Sequence, residues 1–222
     1  MMRRLLTVFI LLFSPGLLAA GAWPREEGQV FVSFGGNFLL SDGAQLPVHY
    51  DPTLYLEYGV STELTLGLAY HKADQDRVDA GMIFMRLPFG PNTGADHFAF
   101  SLGVGARTAR DTADEALLQG GLHWGRGFDE GWFSIDYTAT YGSERRSFQS
   151  KADFTWGQDL TSHWTAFFQM QIGEGLGGDF YAKANPAIVY RINERNRLSI
   201  GAIKALTGDG GSALKLELWS QF

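Results

Sequence analysis

Apolar and polar side chains alternate with a period of two along most of the chain between Gly28 and Phe222. Near the middle of the chain, for example, Ala152, Phe154 and Trp156 fall on one face, and polar residues fall on the other. Alternation of this kind, interrupted by turns rich in Gly, Asp, Asn and Ser, is typical of half-buried β-strands. Helical spacing is rare, and no apolar run approaches the roughly 18 residues of a membrane-spanning helix. The pattern therefore predicts an all-β fold.

Twelve segments of about ten residues carry the alternation. The predicted strands are 28–39, 50–60, 63–72, 77–89, 96–109, 114–125, 130–142, 147–158, 162–173, 179–191, 195–206 and 211–222. Short connections alternate with longer ones, so an up-and-down meander is expected, and an even number of strands places both termini at the same end. Segments of this length match the roughly 9–11 residues with which a tilted strand crosses a bilayer. Strands can cross a bilayer only when every backbone group is paired, so we predict a closed antiparallel transmembrane β-barrel over residues 23–222.

The orientation of the two faces separates a membrane barrel from a soluble one. A soluble sandwich or barrel turns its apolar face inward and its polar face toward water. The apolar face here is nearly pure, as in Phe98, Phe100, Leu102 and Val104. Aromatic residues that could form interfacial girdles gather at strand ends; they are Trp124, Trp132, Tyr141, Trp156, Trp164 and Tyr190. These features favour the membrane barrel, and a soluble periplasmic barrel remains the alternative.

The first 22 residues have the pattern of a secretory signal. Arg3 and Arg4 are followed by an apolar run, a Ser14-Pro15-Gly16 break and small residues up to Ala22. The apolar run is much shorter than the roughly 20 residues of a spanning helix, so a signal peptide over 1–22 is favoured over a retained anchor. We expect cleavage after Ala22 or Ala20, and export from the cytoplasm.

Composition excludes several kinds of chemistry. The formal net charge is -6 with no clustered basic face, which argues against nucleic acid as a partner. The chain has no cysteine, so disulfides, thiolate metal sites and cysteine nucleophiles are excluded. The 28 glycines fit a fold with many tight turns. No cofactor and no metal site are predicted.

The sequence resembles Gram-negative outer-membrane β-barrel proteins, of which small porin-like channels are the nearest in size. The resemblance rests on the signal pattern, the alternation and the last strand, which ends in an aromatic residue. In such proteins the barrel-assembly machinery binds a last strand that ends in an aromatic residue and has alternating apolar residues before it. The last strand of this chain resembles that signal. The matching residues are Leu214, Leu216, Leu218 and Phe222, whereas Ser220 departs from the pattern. The resemblance implies location in the outer membrane, in contact with its lipid bilayer.

Assignment of faces strand by strand gives a set of candidate inward, pore-lining residues. They are Glu57, His71, Asp79, Arg107, His123, Asp136, Lys151, Asp153, Gln169, Lys183, Arg197, Lys215 and Glu217. Five acids balance five Lys or Arg residues in this set, which suggests pairs across strands instead of a ring of one sign. Such pairs can stiffen the lumen by satisfying one another. They can also line a narrow aqueous path with weak ion or solute preference.

One hairpin places two carboxylates together. If the strands flanking Ser143–Arg146 pair about that turn, Asp136 lies opposite Asp153 and Thr138 lies opposite Lys151. Two close carboxylates can share a proton, as acid–base catalysis requires. We expect instead that Lys151 and Lys183 neutralise them. In the next hairpin, Gln169 is expected opposite Lys183.

No enzymatic motif stands out. His71, His123 and His163 are expected to face inward on non-neighbouring strands, which does not favour a metal site. Outer-membrane hydrolases with Ser/His or Asp/His groups exist, but we find no serine that the alternation and pairing place beside a histidine, and no Gly-x-Ser-x-Gly elbow. The piece Gly173–Gly178 is interpreted as a loop and not as a phosphate-binding turn.

The leading hypothesis is a passive, narrow channel for small hydrophilic or amphipathic solutes, without enzymatic activity. The first alternative is a barrel closed by its own side chains, with a structural or adhesive role through loops such as Ser41–His49 and His71–Arg77. The second alternative is an outer-membrane hydrolase.

Overall fold

The computed structural model describes residues 21–40, 47–73, 78–90, 94–110, 113–175, 177–208 and 211–222. The strands, numbered in chain order, are β1 Val30–Leu40, β2 Pro47–Ser61, β3 Leu64–Ala73, β4 Val78–Pro88, β5 Asp96–Ala109, β6 Glu115–Phe128, β7 Gly131–Gly142, β8 Ser147–Asp159, β9 Trp164–Glu174, β10 Phe180–Arg191, β11 Asn196–Thr207 and β12 Ser212–Gln221. The predicted strand ends lie within three residues of these bounds. Within the described ranges, no helix is long and apolar enough to cross a membrane.

The twelve strands form one closed antiparallel barrel. Each strand pairs with its neighbour in the chain, and β12 pairs with β1 to close the ring. At the closure, the Val30 amide donates to the Phe222 carbonyl at 3.1 Å, and the Phe222 amide donates to the Val30 carbonyl at 2.9 Å. Because closure leaves no free edge, every strand has a hydrogen-bonded neighbour on both sides. The predicted fold class, an all-β up-and-down barrel, is confirmed.

Apolar side chains cover the outside of the barrel, and polar side chains fill its interior. Phe34, Ile83 and Leu122 on the outer face are each about 58% exposed. Glu57 and Asn185 on the inner face are at most 1% exposed. This arrangement is the reverse of that in a soluble barrel, and it suits a surrounding hydrocarbon phase.

The two ends of the barrel differ. The end that holds Val30 and Phe222, which we call the terminal end, is where the odd-numbered strands begin and the even-numbered strands end. The opposite end, which we call the loop end, is where the odd-numbered strands end and the even-numbered strands begin. Of the two loops expected to be adhesive, 41–46 and 74–77 lie outside the described residues. The adjoining residues 47–49 and 71–73 extend strands β2 and β3.

Aromatic side chains ring the outer face near the strand ends, as predicted, with one exception. Trp164 and Tyr190 lie 4.6 Å apart between ring centroids, and Tyr141 and Phe148 lie 5.1 Å apart. Trp132, however, is 5% exposed and faces the interior. Its partner in register is Gly157, whose missing side chain leaves room for the indole. Trp132 therefore narrows the lumen instead of contacting the bilayer interface.

A small apolar cluster fills part of the lumen toward the terminal end. It consists of Phe167, Ala187 and Val189, with Trp219 packed against it. The Phe167 and Trp219 ring centroids are 6.1 Å apart. The widest part of the interior therefore lies toward the loop end.

Candidate functional site

The register of the sheet places most of the predicted pore-lining residues on the inner face. These are Glu57, His71, Arg107, His123, Asp136, Lys151, Asp153, Gln169, Lys183, Arg197, Lys215 and Glu217. They follow the same alternation as the buried polar residues Ser33, Thr65 and Ser199. The inner face is therefore the face that the sequence pattern assigned, with the exception of one strand.

The prediction that Asp79 faces the lumen is wrong. Asp79 pairs with Lys72 in register, accepts a hydrogen bond from the Tyr70 hydroxyl at 2.9 Å, and lies 3.5 Å from the Lys72 ammonium on the outer face. β4 is apolar on both faces, so its alternation does not distinguish inside from outside. Its inward residues include Arg86, which sequence reasoning missed for the same reason.

A cavity of about 630 Å³ occupies the lumen toward the loop end. Its walls carry the cationic side chains of Arg86, Arg107, Lys151 and Lys183. The lining residues closest to the terminal end are Tyr55, Arg86, Ser101 and His123. Below that level, Trp132 and the cluster around Phe167 occupy part of the lumen.

A buried ionic network lies just below the cavity. Glu57 is fully buried and forms an ion pair with Arg86 from β4. The Tyr55 hydroxyl donates to Glu57 Oε1 at 2.5 Å, and Arg86 Nη2 donates to the same hydroxyl at 3.0 Å. The carboxylate thus receives donors from two strands. A buried charge needs this degree of compensation to remain ionised.

The second cation on Glu57 comes from the segment before the first strand. Arg25 Nε donates to Glu57 Oε2 at 2.5 Å, and the Arg25 amide donates to Thr65 Oγ1 at 3.1 Å. The Arg25 guanidinium also lies 4.4 Å from the centroid of the Phe31 ring. Because Arg25 is only 4% exposed, its side chain lies inside the barrel.

Trp23 and Ala22 continue this inner segment. The Trp23 and His97 rings are 5.6 Å apart, and Ala22 is fully buried. Trp23 lies directly against Gly125 of β6, where a β-carbon would collide with the indole. We call residues 21–27 the inner segment, of which cleavage after Ala22 leaves residues 23–27. Sequence reasoning missed it because these residues show no alternation. Nothing in the sequence near Arg25 indicates that its partner is Glu57.

Further pairs line the loop end. Arg107 forms an ion pair with Glu115 across β5 and β6 and donates to Gln149 Oε1 at 2.7 Å. Arg145 donates to the same Glu115 at 3.0 Å. Lys183 has no carboxylate partner in the described part of the chain, and its ammonium lies 5.1 Å from the Tyr181 ring centroid. Lys183 is therefore a cation whose charge is available to a solute.

The predicted carboxylate pair lies in the predicted register. Asp136 is opposite Asp153, and Thr138 is opposite Lys151. Lys151 Nζ binds Asp153 Oδ2 at 2.7 Å, as expected. Lys183 does not neutralise Asp136, whose partner is His123. Asp153 is thus bound by Lys151, and Asp136 is bound by His123.

The expectation that Gln169 lies opposite Lys183 is wrong by two residues. Gln171 lies opposite Lys183, and Gln169 lies opposite Asn185 and donates to Thr155 Oγ1 at 3.2 Å. A shift of two residues leaves the faces unchanged, so Gln169 still points inward.

His123 joins two residues into a relay. The Ser101 Oγ and His123 Nε2 atoms are 2.9 Å apart, and His123 Nδ1 lies 2.7 Å from Asp136 Oδ1. Ser101 is opposite Gly121 in register, so its contact with His123 is diagonal. A β-carbon at position 121 would collide with Ser101 Oγ, and glycine therefore leaves the space in which the two side chains meet. Sequence reasoning missed this serine because it compared only residues directly opposite each other.

The remaining candidates lie near the closure of the barrel. Lys215 Nζ and Glu217 Oε2 are 3.1 Å apart along β12, and Arg197 is 3% exposed beside Trp219. The residues of the predicted assembly signal, Leu214, Leu216, Leu218 and Phe222, are all exposed on the outer face. In the portion of the chain that the structure describes, no three His, Cys, Asp or Glu residues are grouped as metal ligands.

Fold and lumen together define a twelve-stranded barrel with an apolar exterior and a charged interior, in which the start of β1 and the end of β12 meet at Val30 and Phe222. No protein-family model and no curated protein matches the chain. Solved structures do resemble it. The KdgM porin in complex with disordered oligogalacturonate has a TM-score of 0.60 at 8% identity, over 87% of this chain and 99% of that chain. The NanC porin has a TM-score of 0.59 at 10% identity, over 86% and 98%. At this identity, the likeness shows the fold alone, a closed β-barrel.

Proposed function

We propose that the chain is an integral outer-membrane β-barrel that acts as a passive, narrow channel for small hydrophilic or amphipathic solutes. The observation that carries the proposal is the contrast between the two faces of one closed sheet. The outer face presents a belt of apolar and aromatic side chains, and the inner face presents charged and amide groups around a cavity of about 630 Å³. A lumen lined in this way supports water and polar solutes within a membrane.

The width of the path limits the solute to small molecules. Twelve strands give a barrel between the filled eight-stranded and the open sixteen-stranded types. Trp132 and the inner segment occupy the terminal end, so the narrowest point lies below the cavity. Solutes entering from the loop end meet this point last.

Charge in the cavity favours weak selectivity for anions. Arg86, Arg107, Lys151 and Lys183 line the cavity, against Glu174 and Asp179. Arg86, Arg107 and Lys151 are paired within the protein, and Lys183 is the lining cation that has no carboxylate partner in the described chain. One structurally similar barrel is the KdgM porin in complex with disordered oligogalacturonate. For the present chain we propose a preference for small anions over cations of equal size.

Export and insertion complete the proposal. Residues 1–22 act as the signal peptide, and the outward-facing residues Leu214, Leu216, Leu218 and Phe222 act as the signal for the barrel-assembly machinery. The exposure of the last four supports this role, since an assembly factor can reach them from outside the barrel.

Electrical recording tests the channel directly. The chain without residues 1–22, refolded in detergent, is added to a planar bilayer, and heat-modifiable gel migration shows that the barrel has formed. Discrete conductance steps with a reversal potential on the anion-selective side are expected. A folded barrel that inserts without any steps would exclude a channel.

Closure of the terminal end favours one alternative, a barrel with a structural role. Arg25 and Trp23 fill the lumen from below, and Arg25 is held by a fully buried carboxylate. A barrel sealed by these contacts conducts no ions. The same recordings separate the two functions, because a sealed barrel inserts silently.

A further inference from the structure

Ser101, His123 and Asp136 make a hydrogen-bonded relay on three consecutive strands, and the first two of these residues line the cavity. We propose that this relay is a nucleophilic catalytic site, in which Ser101 attacks the carbonyl carbon of a small carboxylic ester that enters the cavity. The proposal adds a hydrolytic activity to the barrel and is independent of whether the barrel conducts ions.

The geometry sets the role of each nitrogen. A carboxylate only accepts hydrogen bonds, so the contact of 2.7 Å between His123 Nδ1 and Asp136 Oδ1 places the imidazole proton on Nδ1. In the neutral imidazole, Nε2 then carries the lone pair, and it lies 2.9 Å from Ser101 Oγ. The Ser101 hydroxyl therefore donates to Nε2. This is the arrangement in which a histidine removes the proton of a serine nucleophile, with an acidic residue holding the histidine in position.

The pairing is specific to one serine of the lumen. Ser33, Ser101, Ser134 and Ser199 are the serines buried on the inner face of the described barrel, and Ser101 is the one that contacts a histidine. The contact depends on Gly121, because any side chain there would separate Ser101 from His123. Lys151 binds Asp153, and the neighbouring carboxylate of Asp136 binds His123.

A positive group lies beside the nucleophile. Arg86 is directly opposite Ser101 in the ladder between β4 and β5, and both face the cavity. Its Nε–H is buried and has no hydrogen-bond partner within the described chain. A cationic donor next to the nucleophile stabilises the negative oxygen that forms when the carbonyl is attacked.

The reaction balances without a cofactor. Ser101 Oγ bonds to the ester carbonyl carbon as its proton moves to His123 Nε2, and the bond to the alkoxy group breaks when Nε2 returns that proton to the leaving alcohol. Water then attacks the acyl carbon and gives a proton to Nε2. The carboxylic acid leaves as Ser101 Oγ recovers the proton, so one ester and one water give one acid and one alcohol.

Covalent labelling tests the site. The refolded barrel, without residues 1–22, is treated with diisopropyl fluorophosphate, whose phosphorus Ser101 Oγ attacks as fluoride leaves. Peptide mass spectrometry is expected to show one phosphoryl group per chain, on the peptide that contains Ser101. Hydrolysis of 4-nitrophenyl acetate is measured on the same samples.

Variants distinguish catalysis from a structural hydrogen bond. Ser101→Ala should lose both the label and the esterase activity, and Ser33→Ala, a buried lumen serine without a histidine, should keep both. His123→Gln should slow labelling by about 100-fold or more. If His123→Gln does not fold by gel migration, Asp136→Asn, which disturbs the imidazole orientation, provides the same test with the same expected direction.

Three outcomes contradict the proposal. They are no label on the folded wild-type barrel, equal labelling of Ser101→Ala, or an unchanged labelling rate in folded His123→Gln. A purely structural hydrogen bond between Ser101 and His123 predicts the first of these. Ion conductance of Ser101→Ala is recorded in parallel, so a failed label and a silent channel are observed separately.

Discussion

Arg25 binds Glu57 at 2.5 Å inside the barrel, although Arg25 precedes the first strand and Glu57 lies near the end of the second. The pair joins the inner segment to the wall and places a charged network between the cavity and the terminal end. Arg86 shares the same carboxylate. The inner segment and the buried charges of Arg25, Glu57 and Arg86 therefore lie together in the lumen.

Loss of the shared carboxylate is expected to destabilise the barrel strongly. Glu57→Gln leaves two buried guanidinium groups, Arg25 and Arg86, without a counter-charge, and removal of one partner from a buried pair costs about 3–5 kcal/mol. Arg25→Ala should cost less, because Glu57 keeps Arg86 and Tyr55. Urea unfolding in lipid vesicles, followed by tryptophan fluorescence, measures both. Equal stability of Glu57→Gln and the wild type would show that the network does not hold the barrel.

Opening of the terminal end is expected to raise conductance. Arg25→Ala removes the side chain that joins the inner segment to Glu57, so single-channel current should increase over that of the wild type. Glu27→Gln is the matched control, because Glu27 lies in the same segment but is exposed. An Arg25→Ala current equal to that of Glu27→Gln would place the narrowest point elsewhere.

Selectivity is expected to depend on Lys183. Lys183→Ala should move the reversal potential in a salt gradient toward cation preference, because it removes a cavity cation that has no carboxylate partner in the described chain. Lys204→Ala removes the same charge from an exposed residue on the outer face and should leave the reversal potential unchanged. Equal shifts in the two variants would mean that net charge, and not the lining of the lumen, sets selectivity.

The two faces are expected to respond differently to a new charge. Leu102 is 50% exposed on the outer face near the middle of β5, and Leu102→Arg should destabilise the barrel by about 2–4 kcal/mol in a bilayer. Gln169→Arg places the same charge in the polar lumen and should cost much less. Unfolding in vesicles compares the two directly. Similar costs would reverse the assignment of inside and outside.

The strands and their faces follow from the sequence because burial has a period of two in a barrel wall. The hairpin about Ser143–Arg146 could be paired correctly, since its four-residue turn fixes the register of Asp136 and Asp153. The alternation fails in β4, where Ile83 and Phe84 are both apolar but face opposite sides. Because of this ambiguity, the sequence pattern assigns Asp79 to the lumen although it lies outside, and it does not assign Arg86 to the lumen although it lies inside.

The contacts of the site depend on features without a sequence period. Ser101 meets His123 diagonally across Gly121, and Arg25 reaches Glu57 from a segment that belongs to no strand. A one-dimensional pattern records which residues point inward but not how far each side chain reaches. The lumen could therefore be predicted as a set of polar residues, whereas its networks required three-dimensional distances.

Access of a reagent to the lumen tests the channel most directly. The chain contains no cysteine, so single cysteines can be introduced without background. Gln149 lines the cavity, and its neighbour Phe148 is 72% exposed on the outer face. Single-channel current of Gln149→Cys should fall in a discrete step when a charged methanethiosulfonate is added, and that of Phe148→Cys should not change. A barrel that inserts and folds but shows no current in either variant, or equal block in both, would contradict a water-filled path through the lumen.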